Sequence, residues 1–155
     1  MKFQEHRDLL MEACLGNKHA VDFLLKLGTI FRVWDDTWDR DRPVTPHQLD
    51  TSFSDLCFEL SRNPFFKLHR DVLEAQIAVA WNAWHDSNEW WDDEDPIKQN
   101  CAWFIRDYCN ELVQLCAWII GGKEHMRRIS LKVREAYLQE LVEADLKEVK
   151  YGTLQ

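Results

Sequence analysis

Three aspartates within residues 35–39, which read DDTWD, form a compact group of potential metal ligands near the end of a predicted helix. Residues four apart on a helix share a face, so Asp35 and Asp39 are expected to point the same way. The same face continues backwards through Phe31 and Leu24, which predicts that the carboxylates lie toward the core. Carboxylates that are close together and partly buried repel one another, and Mg²⁺ removes this repulsion by binding their oxygens. The spacing therefore predicts a Mg²⁺ site.

A second interpretation of this segment needs no metal. The C-terminus of a helix disfavours negative charge, so the helix could fray here and leave Asp36 and its neighbours in water. The carboxylates could equally pair with Arg40 and Arg42 in the following loop. The sequence leaves the metal site and the frayed or ion-paired helix end open as alternatives.

A second acidic stripe is predicted on the fourth helix. Asn82, Asp86, Glu89 and Asp93 follow one another at intervals of four, three and four residues, which puts them on one side of that helix. If the two acidic groups face each other across a helical bundle, Asp86 and Glu89 complete the metal site. His85 lies beside the stripe, and a hydrogen-bonded structural histidine is the favoured interpretation for it.

A polar line crosses the otherwise apolar fifth predicted helix at Arg106, Asn110 and Gln114. Buried polar groups require partners, and a guanidinium can bind a phosphate through two hydrogen bonds. Arg106 is therefore a candidate phosphate ligand, with an ion pair between Arg106 and an aspartate as the structural alternative. The predicted metal ligands are Asp35, Asp36, Asp39, Asp86 and Glu89, and the predicted substrate-binding residues are Arg106, Asn82 and Asn110.

A basic group lies around the start of the last predicted helix. The helix dipole does not favour positive charge at a helix N-terminus, so these side chains could receive an acidic neighbour or a phosphate. A solvated helix face is the alternative. The residues are Lys123, Arg127, Arg128, Lys132 and Arg134.

The elements that would position these residues are helices. Proline is favoured at the first helical position because its missing N–H would be unbonded there, and a preceding Ser, Thr, Asp or Asn caps the helix. No segment shows the alternation of a half-buried strand. Such starts occur at Thr45-Pro46, Asn63-Pro64 and Asp95-Pro96, and a typical stop at Gly121-Gly122. The sequence predicts an all-α fold, an antiparallel bundle of about six helices in a single domain over residues 1–155. The expected helices cover about 3–15, 18–38, 46–62, 64–91, 96–120 and 129–150.

Composition and charge restrict the cellular compartment that is expected for the protein and the molecules that it is expected to bind. The formal net charge is −8, which argues against binding to a nucleic-acid backbone. The N-terminal residues are charged, and no stretch approaches the roughly 20 apolar residues of a membrane helix. The five cysteines form no Cys-x-x-Cys pair, which predicts reduced, buried thiols. Together these features predict a cytoplasmic protein that contacts no membrane.

The segment Asp35–Asp39 resembles the DDxxD metal motif of class I isoprenoid synthases. Asn82-x-x-x-Asp86 followed by Glu89 is similar to the second metal motif of the same enzymes, with Asp86 where the family has serine. This resemblance implies an all-helical protein in which Mg²⁺ ions hold a diphosphate. Arg106 would then bind the phosphate.

A broader part of the chain is similar to small proteins encoded by tailed bacteriophages. The similarity covers about two thirds of the sequence and implies a phage origin without implying an activity. Its segments are Val33–Val44, Arg62–Phe65 and Leu115–Gly122.

Two functions are expected from these observations. The first is a Mg²⁺-binding helical protein that binds or acts on a diphosphate-containing small molecule. The alternative is a non-catalytic phage protein that binds a host protein in the host cytoplasm through a surface rich in tryptophan and acidic residues, because the chain contains eight tryptophans. A homodimer is also possible through apolar residues left on the last helix, namely Leu131, Val133, Leu138, Leu141, Val142 and Leu146.

Overall fold

The computed structural model describes residues 3–40 and 42–152, with side chains described for 4–40 and 42–138. These residues are 89% helical and contain no strand, which confirms the all-α prediction. Over the same ranges, no helix is both long enough and apolar enough to cross a bilayer. The helices are α1 (Phe3–Ala13), α2 (Lys18–Asp39), α3 (Pro46–Ser54), α4 (Leu60–Arg62), α5 (Pro64–Trp91), α6 (Pro96–Arg106) and α7 (Glu111–Gly152), with a π-helical turn at Asp55–Glu59 and a 3₁₀ turn at Tyr108–Asn110.

The helix starts follow the capping pattern of the sequence. Thr45 caps α3 by accepting a hydrogen bond from the backbone N–H of Gln48, and the Gln48 side chain accepts one from the backbone N–H of Thr45 in return. The side chain of Asn63 caps α5, and that of Asp95 caps α6. Proline occupies the first turn of all three helices, as predicted.

The fifth predicted helix ends earlier than expected. Instead of continuing to Ile120, α6 ends at Arg106, and a 3₁₀ turn leads into α7. The glycine pair does mark a break, because Gly122 has φ +70° and ψ −173° within α7. A positive φ of this kind is readily available only to glycine. Gly121 is needed for another reason, since a Cβ there would lie 2.7 Å from the ring of His125.

The unit formed by residues 17–40 and 42–112 carries its core between α2 and α5. Phe23 is fully buried and stacks on Phe66 with ring centroids 5.5 Å apart. The buried Asn63 ties the two helices together, because its Nδ2 donates to the backbone carbonyl of His19 at 2.9 Å. Its Oδ1 accepts from the backbone N–H groups of Phe65 and Phe66 at the start of α5.

The unit formed by residues 3–16 and 113–152 is built on α1 and α7. The buried His125 donates from Nε2 to the backbone carbonyl of Ala13 at 2.8 Å, and its Nδ1 accepts from Nη2 of Arg128. Lys132 forms an ion pair with Glu12. Some of the predicted basic group therefore bonds within this unit. The single domain and the antiparallel arrangement of all the helices stay predictions.

The apolar residues predicted to remain on the last helix divide into three groups. Leu131 and Leu138 are exposed, by 68% and 46%, as expected for residues available to a partner. Val133 is buried instead. Leu141, Val142 and Leu146 lie outside the residues whose side chains are described.

The cysteines are free thiols and differ in exposure. Burial raises the pKa of Cys14 to about 12 and that of Cys116 well above its ordinary value, in line with buried thiols. Cys57 and Cys101 are exposed, so the prediction of burial is wrong for these two. Cys57 belongs to the π-helical turn, in which Leu56 and Phe58 are exposed as well.

Candidate functional site

The best-defined polar arrangement surrounds Arg106, and we call it the Arg106 site. Nη2 of Arg106 donates to Oδ1 of Asp35 at 2.8 Å and also to Oδ2 of Asp39. Nη1 of the same guanidinium donates to Oδ1 of Asn88 at 2.6 Å. The side chains stay partly in water, with exposed fractions of 22% for Arg106, 33% for Asp35 and 29% for Asp39. One guanidinium thus pairs with both carboxylates that share a face of α2 and offsets part of their charge.

The helices that carry this site explain its charge arrangement. Asp35 and Asp39 occupy the last two turns of α2, where the helix dipole disfavours negative charge. Arg106 is the last residue of α6, where the dipole favours positive charge. The contact between these two helix ends brings the positive charge of Arg106 next to the negative charges of Asp35 and Asp39. The outcome corresponds to the structural alternative considered for Arg106, an ion pair with aspartate.

Two tryptophans complete the Arg106 site. The indole Nε1 of the buried Trp84 donates to Oδ1 of Asp35 at 2.7 Å. The guanidinium carbon of Arg106 lies 5.9 Å from the ring centre of Trp84 and 5.3 Å from that of Trp91, within the range of cation–π attraction. Sequence analysis assigned no role to Trp84, Asn88 and Trp91. Their spacing of four and three residues along one side of α5 could have identified them.

The acidic stripe of α5 lies on the opposite side of that helix. Asn82, Asp86 and Glu89 are exposed, and Nδ2 of Asn82 donates to Oδ2 of Asp86 at 2.9 Å. Because successive residues of a helix are turned by about 100°, this stripe points away from the side of α5 that carries Trp84 and Asn88. The contacts of the Arg106 site therefore come from the other face of α5.

The remaining predicted residues lie at the edges of the site. Asp36 is half-buried and lines an open depression whose other walls are Thr37, Arg40, Arg42, Pro43 and Val44. Asn110 is half-buried in the 3₁₀ turn, where its backbone N–H donates to the carbonyl of Asp107 at 2.9 Å. The neighbouring Cys109 has its pKa raised to about 12, chiefly by burial and further by the charges of Asp107 and Asp35.

Of the predicted metal ligands, Asp35 and Asp39 are brought together through Arg106. Within the described ranges, no group of three or more His, Cys, Asp or Glu residues is placed to hold an ion. Asp35 and Asp39 already have a cation in Arg106, so a Mg²⁺ ion bound to them would compete with a guanidinium for their charge. The Mg²⁺ site stays a prediction.

A second feature is a group of aromatic rings made of three exposed tryptophans and one half-buried histidine. We call it the tryptophan surface and define it as Trp34, Trp38, Trp81 and His85. Trp34 stacks on Trp38 with centroids 5.8 Å apart, Trp38 meets His85 edge-on at 5.6 Å, and Trp81 meets His85 at 4.3 Å. Trp34, Trp38 and Trp81 are 40%, 55% and 47% exposed. Trp84 lies against Trp34 and Trp38 and joins the surface to the Arg106 site.

Comparisons with protein-family models, with curated proteins and with solved structures found no match to this chain.

Proposed function

We propose that this chain is a non-catalytic binding protein that engages a protein partner through its tryptophan surface. The observation that carries the proposal is the continuous ring contact from Trp34 through Trp38 and His85 to Trp81, with the three tryptophans 40–55% exposed. Tryptophan is enriched among the residues that dominate binding energy in protein interfaces. The rings are held by one another and by the buried Trp84, so little side-chain freedom would be lost on binding.

The size of the surface is appropriate for a binding site. If a tryptophan side chain contributes about 250 Å², the exposed parts of the three rings amount to roughly 350 Å². Covering this area at about 25 cal/mol per Å² contributes about 9 kcal/mol before the costs of association. This amount can anchor a specific complex once a polar rim is added.

The charge around the surface favours a basic partner. α2 supplies Asp35 and Asp39 close to Trp34 and Trp38 in sequence, and the single guanidinium of Arg106 offsets only part of their charge. The chain as a whole carries a formal charge of −8. Electrostatic attraction to a basic partner would speed association, more strongly at low salt. The resemblance to phage proteins supports a host protein as partner and the host cytoplasm as the place of action.

The test compares three tagged proteins used to capture partners from a bacterial host lysate. These are the unchanged chain, the variant with Trp38→Ser and Trp81→Ser, and the control Trp118→Ser, whose ring is 50% exposed on α7. A true partner is retained by the unchanged chain and by the control, and its affinity, measured after purification, falls at least about thirtyfold in the double variant.

The proposal also predicts a salt effect for that purified partner. Its association rate should fall as ionic strength rises, because charge attraction is screened. A partner bound equally well by the double variant would place the binding site elsewhere and refute the proposal. Circular dichroism of all three proteins confirms that helix content is unchanged.

A further inference from the structure

His85 lies between two exposed indoles, one from α2 and one from α5. The ring of Trp38 is almost perpendicular to the half-buried imidazole, with centroids 5.6 Å apart and an interplanar angle of 89°. The ring of Trp81 meets the same imidazole at 4.3 Å and 77°. Trp38 and Trp81, both in the described part of the chain, make no ring contact with each other. The three rings therefore form an open recess, with the least exposed ring at its base.

A carboxylate lies on the side of α5 that carries this recess. Glu89 follows His85 by four residues and Trp81 by eight, so the three side chains share one side of the helix. Glu89 is exposed, and it forms no ion pair with any of the described residues. Asp86 is turned by about 100° from His85 and accepts a hydrogen bond from Asn82 instead. Glu89 is therefore available to a cation that enters the recess.

The Arg106 site shows how this chain combines the same groups with a cation. There the guanidinium carbon lies 5.9 Å from the ring centre of Trp84 and 5.3 Å from that of Trp91, and two aspartates accept its hydrogen bonds. Over the described part of the chain, no cation lies against the rings of Trp38 and Trp81. The recess thus has indole rings and a carboxylate, as the Arg106 site does, without a guanidinium.

We propose that the recess between Trp38 and Trp81 binds an arginine side chain of the protein partner, and that Glu89 forms an ion pair with it. This inference rests on the proposed function and specifies the chemical group that the tryptophan surface recognises. Arginine is favoured over lysine because its guanidinium is planar, stacks on aromatic rings and is more weakly hydrated than an ammonium. Tryptophan attracts cations more strongly than the other aromatic side chains do, and the formal charge of −8 favours the approach of a cation.

The first test titrates the unchanged chain with N-acetylarginine amide at neutral pH and follows the indole N–H signals of the tryptophans by NMR. The signals of Trp38 and Trp81 should shift and saturate. The signal of Trp118, whose ring is 50% exposed on α7, should not respond. N-acetylcitrulline amide has a similar shape without the charge. It should bind at least about fivefold more weakly, because it lacks both the cation–π contact and the ion pair.

The second test removes one charge at a time from α5. Glu89→Gln should weaken the binding of N-acetylarginine amide about two- to fivefold, as expected for an exposed ion pair. The matched control is Asp71→Asn, at an exposed position about 20 Å from His85 along the same helix. It should leave the affinity unchanged. Trp81→Ser should abolish the saturable shift of the Trp38 signal.

Three results would overturn the assignment of arginine to the recess. These are an absence of saturable shifts in the unchanged chain, an equal response of Trp118, and equal binding of the amides of N-acetylcitrulline or N-acetyllysine. The titration of the unchanged chain decides independently of how the variants fold.

The captured partner separates this inference from the proposed function. A partner that requires Trp38 and Trp81, binds Glu89→Gln normally and is not displaced by N-acetylarginine amide would refute the inference and leave the proposed function standing. A partner that binds without Trp38 and Trp81 would refute the proposed function itself.

Discussion

The acidic pairs on α2 and α5 have similar spacing and different surroundings. Asp35 and Asp39 are one turn apart on α2 and share the guanidinium of Arg106. Asp86 and Glu89 are one turn apart on α5 and are exposed, and the contact of Asp86 is to the amide of Asn82. The first pair is part of the packing of its unit, whereas the second belongs to the surface.

The difference shows what helical spacing determines and what it leaves open. An interval of three or four residues places two carboxylates on one face, but the rest of the helix decides which face packs inward. On α5 the buried residues Leu73, Ala80 and Trp84 define the inner side. Asp86 and Glu89 are therefore turned outward, and the Mg²⁺ site predicted from both pairs would need Asp86 and Glu89 to act from that outer side.

The largest difference between the pairs is expected when Arg106 is removed. Arg106→Met leaves Asp35 and Asp39 close together without their cation, and should lower the free energy of unfolding by about 2 kcal/mol. Breaking a fully buried ion pair costs about 3–5 kcal/mol, and the partial exposure of all three side chains reduces the effect. Urea unfolding followed by circular dichroism measures this change.

The matched substitution on the other pair is Asp86→Asn. It should change the free energy of unfolding by less than about 0.5 kcal/mol, because Asp86 is exposed. If Arg106→Met and Asp86→Asn lower the free energy of unfolding by the same amount, the distinction between a packed pair and a surface pair is wrong.

An effect of intermediate size is expected of Mg²⁺ on the melting temperature. In the unchanged protein, millimolar Mg²⁺ should shift the melting temperature very little, because Asp35 and Asp39 are already paired with Arg106. In Arg106→Gln the carboxylates lose their cation, and Mg²⁺ should raise the melting temperature by a few degrees, on the order expected for ligand binding to the folded state. Thermal unfolding with and without pyrophosphate measures both shifts.

The control for this titration is Arg106→Gln combined with Asp39→Asn, which should no longer respond to Mg²⁺. A clear rise in the unchanged protein that is abolished by Asp36→Ala would instead favour the Mg²⁺ and diphosphate function. The same titration therefore decides between the two functions expected from the sequence.

The smallest expected effect is a change in the pKa of the Cys109 thiol, which depends in part on the charge of Asp35 on α2. Its pKa is raised to about 12 by burial first and then by the charges of Asp107 and Asp35. The thiol stays protonated until the pH approaches 12, and Asp35→Asn should lower the pKa by less than about one unit. The rate of alkylation between pH 8 and 10, followed by mass spectrometry, should then rise less than about tenfold.

Asp86→Asn should leave the alkylation of Cys109 unchanged, and the exposed Cys101 serves as the internal standard. An equal change in the alkylation rate of Cys109 with both substitutions would mean that the two acidic pairs affect the pKa of this thiol equally.

Much of the fold could be predicted from local chemistry. The residues before three prolines determine the starts of α3, α5 and α6, because both cap and proline act within one turn. The break at Gly122 follows from the glycine pair. The end of α6 at Arg106 was missed because its apolar pattern continues through the 3₁₀ turn, and periodicity alone does not identify such a turn.

The candidate site was harder to predict because its bonds join residues far apart in sequence. Arg106 lies 71 residues from Asp35 and 67 from Asp39. The sequence offered Arg40, Arg42, Mg²⁺ and Arg106 as partners of these aspartates, and local spacing cannot choose among them. The sequence predicted a surface rich in tryptophan but not which of the eight tryptophans form it, since tryptophan at helical spacing is more often part of a core. The structure identifies Trp34, Trp38 and Trp81 as exposed.

The side chain of Asn63 makes hydrogen bonds to two helices that must come together during folding. Its Oδ1 caps α5, while its Nδ2 reaches back 44 residues to the first turn of α2. The amide completes both sets of bonds only after that stretch of chain has closed, and loop closure has an entropic cost. One side chain thereby couples the capping of α5 to its contact with α2, so we expect loss of the Asn63 amide to weaken both at once.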